Sequence, residues 1–384
     1  MNTRCALSIC IVIVTFLSAY TEPVGALLMH ENKRYGHYNV PGDAAHHYFN
    51  LLEGPAWENK YCAFRMYIDM DDRNAIDIFG KLKEGSFLQN FNDASDDPHA
   101  IWSWGTDILK VGSAMGLGSF RLFNNGQWIN PQLPETIDSL VITIADSSVE
   151  TPQVRLGYYG WNIGNGNKIT VFWTISTTFE ERAVHCELSI EGNYSGKVVA
   201  GMVNHNENTD NPNRQTVSVI RDEEPPLLAT LGKQSALPEG YTDSLLMAIY
   251  TESSYFDSFV KDGTTNLGMV LTPDEENKVR WSFAYSCVCE VNPLFRHADW
   301  KKTLIPPTSV DRQFTVEQSY PVSGNTSTMP ALVYSLDGRV FGKMPGNAVL
   351  PGQCSNGVYV INRKSGGNNG SGLTHYKVNS LFSR

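Results

Sequence analysis

The sequence is poor in positive charge and has no concentrated basic segment. Its 384 residues include 30 Lys and Arg against 40 Asp and Glu, which gives a formal net charge of −10 at pH 7. No block of Lys and Arg is longer than a pair such as Arg363 and Lys364. Because binding to nucleic acid or to an anionic membrane surface needs a dense basic surface, the composition argues against both as main partners.

Long apolar runs are also missing, except near the N terminus. There, Arg4 precedes the apolar segment ALSICIVIVTFLSAY, which is too short to cross a bilayer, and the small residues Val24, Gly25 and Ala26 follow it. We interpret residues 1–26 as a secretory signal peptide, with an uncleaved anchor as the alternative. The mature chain is then predicted to be secreted and extracellular, or periplasmic in a bacterium, without a membrane span.

Cysteine is scarce, and its placement argues against a metal site. Two of the seven cysteines lie in the predicted leader, and the mature chain keeps Cys62, Cys186, Cys287, Cys289 and Cys354. In an oxidising compartment these five permit at most two internal disulfides. Cys287 and Cys289 are awkwardly placed to pair with each other, since residues two apart on a strand point to the same face. No second close Cys/His pair lies nearby, so we predict no metal and no cofactor.

Three glycosylation sequons occur in the chain. They are the Asn-x-Ser triplets at Asn193, Asn325 and Asn369. Such triplets fit a glycosylated, secreted protein if the host is eukaryotic.

Helical periodicity is weak along the whole chain. The segments SYFDSFVKD and HADWKKTL each suggest one short helix. Elsewhere apolar and polar residues alternate over short segments such as KITVFWTIS, which are separated by Gly- and Asn-rich turns. Neither a βαβ rhythm nor a repeat of fixed period is present. The pattern therefore predicts an all-β protein, a large antiparallel sandwich or barrel with few short helices.

A change of composition predicts the domain organisation. From about Pro306 the chain becomes rich in Pro, Gly, Ser and Asn. We expect one large β domain over residues 27–305 and an extension over residues 306–384. The extension contains isolated strand patterns, ALVYSL and GVYVIN, before the flexible-looking segment SGGNNGSG.

Two common catalytic signatures are absent, and an aromatic and polar segment stands out instead. The chain has neither a phosphate-binding glycine loop followed by Lys-Ser/Thr nor a G-x-S-x-G motif. The segment from Asp96 to Phe123 combines His99, Trp102 and Trp104 with Asp, Lys and Gly residues. Pyranose rings stack on indoles, so a sugar site fits this segment. The alternative is that both tryptophans belong to the core.

A second unusual feature is the strand pattern YCAFRMYID. One face would carry Cys62, Phe64, Met66 and Ile68, and the other face would carry Ala63, Arg65, Tyr67 and Asp69. A cation, a phenol and a carboxylate on one strand face indicate either a solvated edge or the lining of a groove.

Several motifs together resemble one bacterial family. They are WENKYCAFRMY at 57–67, IDI at 76–78, the segment from Asp107 to Gly118, the strand ending at His205, and the pair Asp299 and Trp300. In this order, across about residues 30–305, they resemble the "domain of unknown function four-eight-six-one" of polysaccharide-degrading Bacteroidetes. Relatives often have a Tyr-His pair and further His or Glu residues before the D-x-x-K segment, whereas this chain keeps only His99 there.

The resemblance implies a fold and a setting, but not a reaction. It implies a large antiparallel β-supersandwich like that of galactose mutarotase and of the C-terminal regions of some polysaccharide lyases. It also implies a carbohydrate context, often beside uronate-processing enzymes. The expected partner is therefore a polysaccharide or oligosaccharide.

Our leading prediction is a lyase that acts on a uronic-acid-containing polysaccharide by β-elimination. Such a reaction needs a cation for the carboxylate, a base for the α-proton and an acid for the leaving oxygen. The candidate catalytic residues are Arg65 or Lys110 as the cation, His99 or His205 as the base, Tyr67 or a Tyr of the segment GYYGW (Tyr158 or Tyr159) as the acid, and Asp107. The candidate substrate-binding residues are Trp57, Trp102, Trp104, Tyr158 and Tyr159.

Two alternatives stay open at this point. One is a mutarotase-like or glycoside-hydrolase-like enzyme, for which Glu58, Asp77 and Asp107 would be candidate carboxylates. The other is a non-catalytic glycan-binding or extracellular matrix protein. Convergence of titratable side chains would favour catalysis, and a cleft dominated by aromatic rings would favour binding.

Overall fold

A computed structural model gives the architecture of most of the chain. It describes residues 23–30, 33–40, 52–68, 74–91, 100–131, 136–164, 166–207, 217–223, 225–234, 243–287, 290, 293–294, 300–304, 331–334, 340–344, 357–362 and 374–378. The chain divides into two compact units, Met1–Pro306 and Pro307–Arg384.

The first unit contains twenty strands, one 3-10 helix and one short α-helix among the described residues. The earlier strands are β1 (Ala26–His30), β2 (Lys33–Arg34), β3 (His37–Val40), β4 (Pro55–Glu58), β5 (Cys62–Tyr67), β6 (Ala75–Lys81), β7 (Gly105–Asp107), β8 (Leu117–Asn124), β9 (Gln127–Ile129) and β10 (Ser139–Asp146). The later strands are β11 (Gln153–Asn162), β12 (Lys168–Ser176), β13 (Val184–Glu191), β14 (Lys197–Val203), β15 (Val217–Glu223), β16 (Pro226–Gln234), β17 (Asp243–Tyr250), β18 (Phe256–Asp262), β19 (Asn266–Leu271) and β20 (Lys278–Cys287). The 3-10 helix is Leu88–Asn90, and α1 is Trp300–Leu304.

These strands form three sheets around one core. The six-stranded sheet has the order β2-β1-β4-β5-β6-β7, the five-stranded sheet β18-β19-β14-β8-β9, and the nine-stranded sheet β15-β16-β17-β20-β13-β12-β11-β10-β3. Phe64 of β5 contacts Phe283 of β20, and Phe120 of β8 contacts Trp173 of β12, so the two smaller sheets face the largest one. The predicted all-β, antiparallel class with few short helices is confirmed.

The two smaller sheets meet where a glycine allows close approach. Ile76 of β6 forms an isolated parallel bridge with Gly116, and the Ile76 amide donates to the carbonyl of Met115. Gly116 has φ +69°, and a Cβ there would lie 1.8 Å from the Ile76 carbonyl oxygen. A side chain at this position would therefore push the sheets apart.

The alternating pattern that predicted the strands places their apolar side in the core. In β12, Ile169, Val171, Trp173 and Ile175 are buried, while the residues between them are partly exposed. Trp173 stacks on Trp281 of β20 with ring centroids 6.0 Å apart. Fully burying an aromatic side chain of this kind contributes about 1.5–3 kcal/mol.

Both faces of β5 are buried, which the sequence left open. Phe64 and Met66 lie in the main core as predicted. Ala63, on the opposite face, belongs to a second apolar cluster with Phe79, Leu88, Phe91 and Trp104. The interpretation of this polar face as a solvated edge is therefore wrong, because Arg65 is 0% exposed and Tyr67 only 6%.

One of the two predicted helices is present. The segment HADWKKTL contains α1, Trp300–Leu304. The prediction of a helix in SYFDSFVKD is wrong, because Phe256–Asp262 forms β18, which pairs antiparallel with β19. No helix in the described part of the chain is long and apolar enough to cross a membrane.

Two buried cysteines do not form disulfides. Cys62 and Cys186 are free thiols in the core. Burial raises the pKa of both thiols well above the usual value. Cys289 and Cys354 lie outside the described residues, so the disulfide prediction for the remaining cysteines stays a prediction.

The N-terminal contacts bear on where a leader would be removed. The Val24 carbonyl accepts a hydrogen bond from Ser86 Oγ, and the Gly25 amide donates to the Ser147 carbonyl. Ala26 is paired with Trp57 in the sheet. Removal of residues 24–26 would break all of these contacts.

The predicted cleavage after residue 26 would therefore remove contacts that the fold uses, and we expect a processed, secreted chain to begin at or before Val24 instead. The measurement is the intact mass and N-terminal sequence of the exported protein. A mature chain that begins at Leu27 and unfolds at the same temperature as a chain beginning at Val24 would contradict this expectation.

The second unit contains one described sheet. Its strands are β21 (Ala331–Tyr334), β22 (Val340–Met344), β23 (Gly357–Asn362) and β24 (Thr374–Val378). They pair antiparallel in the order β22-β21-β23-β24. The predicted strands ALVYSL and GVYVIN thus correspond to β21 and β23.

Candidate active site

The candidate site is an ionic cluster on the outer face of the six-stranded sheet. Arg65 of β5 stands directly opposite Asp77 of β6, and Phe79 of β6 stands opposite Asp107 of β7. Tyr67 lies two residues after Arg65, on the same side of the strand. The register of three neighbouring strands therefore brings two carboxyl groups, a guanidinium and a phenol together.

Arg65 is the centre of this cluster. Its Nε and Nη2 donate to Asp77 Oδ2 at 3.0 and 2.8 Å, and Nη2 also lies 3.0 Å from Asp107 Oδ2. The hydroxyl of Tyr67 accepts from Arg65 Nη2 and donates to Asp77 Oδ2, both at 2.6 Å. Glu53 Oε2 lies 3.5 Å from Nη1.

The rings on either side hold the guanidinium in place. Its Cζ atom lies 4.7 Å from the centroid of the Tyr67 ring and 5.2 Å from that of Phe79. Such cation–π contacts become stronger when water is excluded. The Arg65 side chain is thus fixed by ion pairs and by aromatic rings together.

Within the cluster, Arg65 is inaccessible to solvent, whereas two of the carboxylates are partly accessible. The side chains of Arg65 and Asp77 are fully buried, whereas those of Asp107 and Glu53 are 11% and 21% exposed. A molecule approaching from solvent would therefore meet Asp107 or Glu53 before it met Asp77.

The surroundings of Asp107 favour its protonated form. Burial raises the pKa of Asp107 well above the usual range, and the negative charge of Asp77 raises it further, while Arg65 opposes both effects. Because two adjacent carboxylates repel each other, Asp107 beside Asp77 binds a proton more readily than an isolated aspartate does.

The other two members of the cluster keep fixed protonation states. Burial, together with the charge of Asp77, raises the pKa of the Tyr67 phenol, so this hydroxyl keeps its proton. Burial alone would lower the pKa of Arg65, but the negative charge of Asp77 is the largest opposing effect, and the pKa is raised overall. Asp107 is therefore the member suited to exchange a proton with a bound molecule.

A second buried ion pair braces the far end of the same sheet face. Lys81 Nζ donates to Glu58 Oε2 and to the Asn59 carbonyl, both at 2.6 Å, and to the Gly85 carbonyl at 2.7 Å. Glu58 Oε1 accepts from Ser86 Oγ and from two backbone amides of the 3-10 helix region. Burial lowers the pKa of Lys81, while the charge of Glu58 opposes this effect. Every donor position of the ammonium is used inside the protein, so this pair has a structural role.

The remaining predicted catalytic residues lie near one connecting segment or outside the described chain. Lys110 is exposed, three residues after Asp107. His205 is buried just after β14, whose last residue, Val203, donates its amide to the carbonyl of Gly116. The segment from Asp107 to Gly116 thus runs from the ionic cluster to the strand end that carries His205. His99 lies outside the described residues.

The predicted sugar-binding aromatic residues differ in their exposure to solvent. Trp57, Trp104 and Tyr158 are buried in the apolar clusters, with at most 3% exposure, and offer no ring face to solvent. Trp102 is partly buried and packs edge-on against Phe91. Tyr159 is exposed on the nine-stranded sheet. Trp102 and Trp104 precede β7 in a turn closed by hydrogen bonds between Trp102 and Gly105, so they do not share a strand face.

A comparison with known protein families identifies the family of this chain. The model of the family described as "Domain of unknown function (DUF4861)" matches residues 28–305. The chain belongs to this family. The resemblance seen in the sequence motifs is thereby confirmed, and the DUF4861 domain contains the whole ionic cluster. No curated protein matches the sequence.

Solved structures with some similarity to this DUF4861 chain are distant in sequence. A chain described as "Putative kojibiose phosphorylase from human microbiome" is 11% identical with a TM-score of 0.42, and the match covers 76% of this chain and 37% of that one. An alpha-mannosidase from Enterococcus faecalis is 8% identical with a TM-score of 0.35, over 65% of this chain and 31% of that one. A chain described as a "putative aldose 1-epimerase" from Klebsiella pneumoniae is 8% identical with a TM-score of 0.35, over 73% and 95%. This chain thus spans about a third of the length of the first two.

Sequence reasoning missed the partners that complete the cluster. Asp77 was considered only as a hydrolase carboxylate, and Glu53 not at all, although the alternation in AIDIFGK places Asp77, Phe79 and Lys81 on one face. That pattern, set beside the polar face of β5, could have indicated the pairing of Arg65 with Asp77. Among the described residues, no group of three or more His, Cys, Asp or Glu side chains is placed to hold a metal ion.

The structure describes one of the three predicted glycosylation sites. Asn193 is exposed in the turn after β13. Asn325 and Asn369 lie outside the described residues. The use of these sequons stays a prediction.

Proposed function

We propose that this DUF4861 protein is a secreted carbohydrate-active enzyme that cleaves a uronic-acid-containing polysaccharide by β-elimination, with Asp107 as its acid. The observation that carries the proposal is the partly exposed Asp107 carboxyl, held next to Asp77, Arg65 and Tyr67 in surroundings that raise its pKa. A carboxyl whose pKa is raised by its surroundings is suited to donate a proton to a leaving glycosidic oxygen.

The cation for the substrate carboxylate is assigned to Lys110. Arg65 is fully buried and already bonded to Asp77 and Asp107, so it cannot approach a sugar carboxylate. Lys110 is exposed and follows Asp107 on the same segment. A cation close to the carboxylate stabilises the negative charge that develops when the α-proton leaves.

The base is assigned to His99, because His205, the other histidine predicted from the sequence, is 1% exposed and is as inaccessible to a sugar as Arg65 is. An imidazole has an unperturbed pKa of about 6.5, which suits proton abstraction near neutral pH. After elimination Asp107 is a carboxylate beside the Arg65 guanidinium, and it regains a proton from solvent. Arg65, Asp77 and Tyr67 position Asp107 and set its pKa without touching the substrate.

The geometry argues against glycoside hydrolysis by the carboxylates considered from the sequence. Hydrolases need two carboxyl groups separated by about 5–9.5 Å, with a sugar between them. Asp77 and Asp107 both accept hydrogen bonds from Nη2 of Arg65, so no sugar fits between them. Glu58 is buried in its pair with Lys81.

The test is incubation of the purified protein with a panel of uronate polysaccharides while the ultraviolet absorbance of the unsaturated product is followed. We expect product with the wild-type chain and a reduction of kcat by about 10²–10⁴-fold in Asp107→Asn. Asp138→Asn, which alters an exposed carboxylate, is the matched control and should retain activity. Asparagine has the same shape as aspartate, and the Asp107 side chain is partly exposed, so the variant should fold, as thermal unfolding can verify.

Two outcomes would overturn the proposal in different ways. Silence across the panel, with glycan binding retained, would exclude the lyase and favour the non-catalytic glycan-binding alternative. Elimination at the wild-type rate in Asp107→Asn would exclude Asp107 as the acid.

A further inference from the structure

A serine, a histidine and a glutamate form a hydrogen-bonded chain on the nine-stranded sheet, which is a different sheet from that of the ionic cluster. His185 of β13 stands directly opposite Ser282 of β20, and its Nδ1 lies 2.9 Å from Ser282 Oγ. The other ring nitrogen, Nε2, lies 3.3 Å from Oε2 of Glu181 in the β12–β13 turn. None of these three side chains has a role in the proposed elimination.

Strand alternation places this group on the face of the sheet that points away from the main core. The residues on either side of His185 and of Ser282 all belong to that core: Val184, Cys186, Trp281 and Phe283. His185 and Ser282 therefore point to the opposite face. The His185 side chain is 45% exposed and Ser282 is partly exposed, so a molecule in solution can reach both.

The hydrogen bonds of His185 define one tautomer. Because a carboxylate can only accept, Nε2 carries the proton and donates to Glu181, and Nδ1 presents its lone pair to the Ser282 hydroxyl. Glu181 is itself held in the turn, since its Oε2 accepts from Thr178 Oγ1 at 3.1 Å and its amide donates to the Thr178 carbonyl. In this arrangement His185 can take the proton of Ser282 while Glu181 stabilises the imidazolium that forms.

Tyr250 places a second hydroxyl next to Ser282. Tyr250 of β17 stands opposite Ser282 in the sheet, and the two hydroxyl groups are neighbours. Among the residues that the structure describes, the buried Tyr250 hydroxyl has no other hydrogen-bond partner. Burial raises the pKa of this phenol, so it keeps its proton. A buried donor beside a nucleophile can stabilise negative charge on a carbonyl oxygen under attack.

An apolar surface borders Ser282 on the side of Tyr250. Tyr250 belongs to a third apolar cluster, in which the outer face of the sheet packs against α1, and which also contains Ala183, Ala248, Ala284, Trp300 and Leu304. Ser282 thus lies between an apolar region on one side and the exposed imidazole on the other. A small ester fits this boundary, with its acyl group towards the apolar side and its alcohol towards solvent.

We propose that Ser282, His185 and Tyr250 form an esterase site that removes small acyl groups from the hydroxyls of a sugar. The choice of an acylated sugar as substrate rests on the proposed function. The hydrolysis of an ester rests on the geometry around Ser282 alone.

The proposed reaction has two halves. Ser282 Oγ attacks the carbonyl carbon, its proton passes to His185 Nδ1, and the Tyr250 hydroxyl donates to the resulting oxyanion. The bond to the sugar oxygen then breaks, and that oxygen takes the proton from His185. In the second half, water loses a proton to His185 and attacks the acyl-serine, which releases the carboxylic acid and restores Ser282. Glu181 acts through His185 as a positioning residue.

The test combines hydrolysis of p-nitrophenyl acetate by the full chain with labelling by a fluorophosphonate, located by peptide mass spectrometry. We expect the label on Ser282, and a fall in kcat of about 10²–10⁴-fold in Ser282→Ala and in His185→Gln. Tyr250→Phe keeps the ring in the apolar cluster and should lower kcat by about 10²–10³-fold. Ser189→Ala removes a hydroxyl from the same face of β13 and is the matched control, expected to retain activity.

Glu181→Gln tests the positioning role separately. Glu181 is exposed and touches no substrate, so we expect kcat to fall while KM stays unchanged. Thermal unfolding at the wild-type temperature would show that the fold of this variant is intact. A change confined to KM would contradict the positioning role.

The outcomes distinguish this site from the proposed elimination. No label and no ester hydrolysis, a label on another residue, or wild-type hydrolysis in Ser282→Ala would each overturn the esterase site, even if the chain eliminates uronates. Loss of hydrolysis in Ser282→Ala, with activity retained in Ser189→Ala, would support it even if no elimination is found. Acetate release from acetylated polygalacturonic acid is expected, and its absence beside p-nitrophenyl acetate hydrolysis would overturn the acylated sugar as the substrate.

Discussion

Replacement of Arg65 by Met should be among the most destabilising single substitutions in the protein. Arg65 is the cation that Asp77, Asp107 and Glu53 share, and both Arg65 and Asp77 are fully buried. Methionine retains much of the apolar volume but leaves a buried carboxylate without its ion pair. Breaking a buried ion pair on one side costs about 3–5 kcal/mol. We expect a loss of this size in the free energy of unfolding, measured by denaturant titration at pH 7.

The pH dependence distinguishes a charge effect from a packing effect. Without Arg65 the buried carboxyl groups should have raised pKa values, so the folded variant binds more protons than the unfolded chain. Its stability should therefore recover partly as the pH falls from 7 towards 5. Arg280→Met is the matched control, because Arg280 pairs with Glu187 at 2.7 Å but both side chains are nearly half exposed. We expect a loss below about 1 kcal/mol there. Equal losses in the two variants would contradict this account.

Replacement of Lys81 by Met should be comparably destabilising. The ammonium is 1% exposed and joins Glu58 to the Asn59 and Gly85 carbonyls. Its loss leaves a buried carboxylate and two carbonyl groups without this donor, so we expect about 3–5 kcal/mol less stability. Because Glu58 also accepts hydrogen bonds from Ser86 and from two amides at the start of the 3-10 helix, the region around residues 82–91 should lose hydrogen-exchange protection first.

Lys168→Met gives the matched control for this second substitution. Lys168 pairs with Asp138 at 2.7 Å, but both side chains are more than half exposed. The exposed pair should contribute little, so the variant should unfold close to the wild-type midpoint. A Lys81→Met variant with the same unfolding midpoint as Lys168→Met would show that the buried pair of Lys81 and Glu58 does not stabilise the sheet.

The sequence was sufficient for strands and core faces because alternation is a local property. The buried faces of β5 and β12 followed directly from apolar residues at every second position. The prediction of a helix at Phe256–Asp262 was wrong because its pattern was read without the neighbouring strand. Pairing with β19 supplies the backbone hydrogen bonds that make the segment a strand.

The candidate site could be predicted only in part because its members meet through tertiary contacts. The polar face of β5 was visible, and Tyr67 and Asp107 were named as candidates. That face is covered by Phe91 and Trp104, which come from the connection between β6 and β7. A single-strand pattern separates two faces but does not show whether water or another segment covers the second one. For this reason Arg65 was predicted to bind a substrate, while the structure places it beneath Asp107.

The most direct test of the central claim is the pKa of Asp107 itself. In protein labelled with ¹³C at the aspartate carboxyl carbon, the Asp107 resonance can be assigned by its absence in Asp107→Asn and followed from pH 3 to 9. The account predicts a midpoint well above the value of about 3.9 for an unperturbed aspartate. A midpoint at or below that value would show that Asp107 is an ordinary ion-pair partner of Arg65, and would contradict its role as a proton donor.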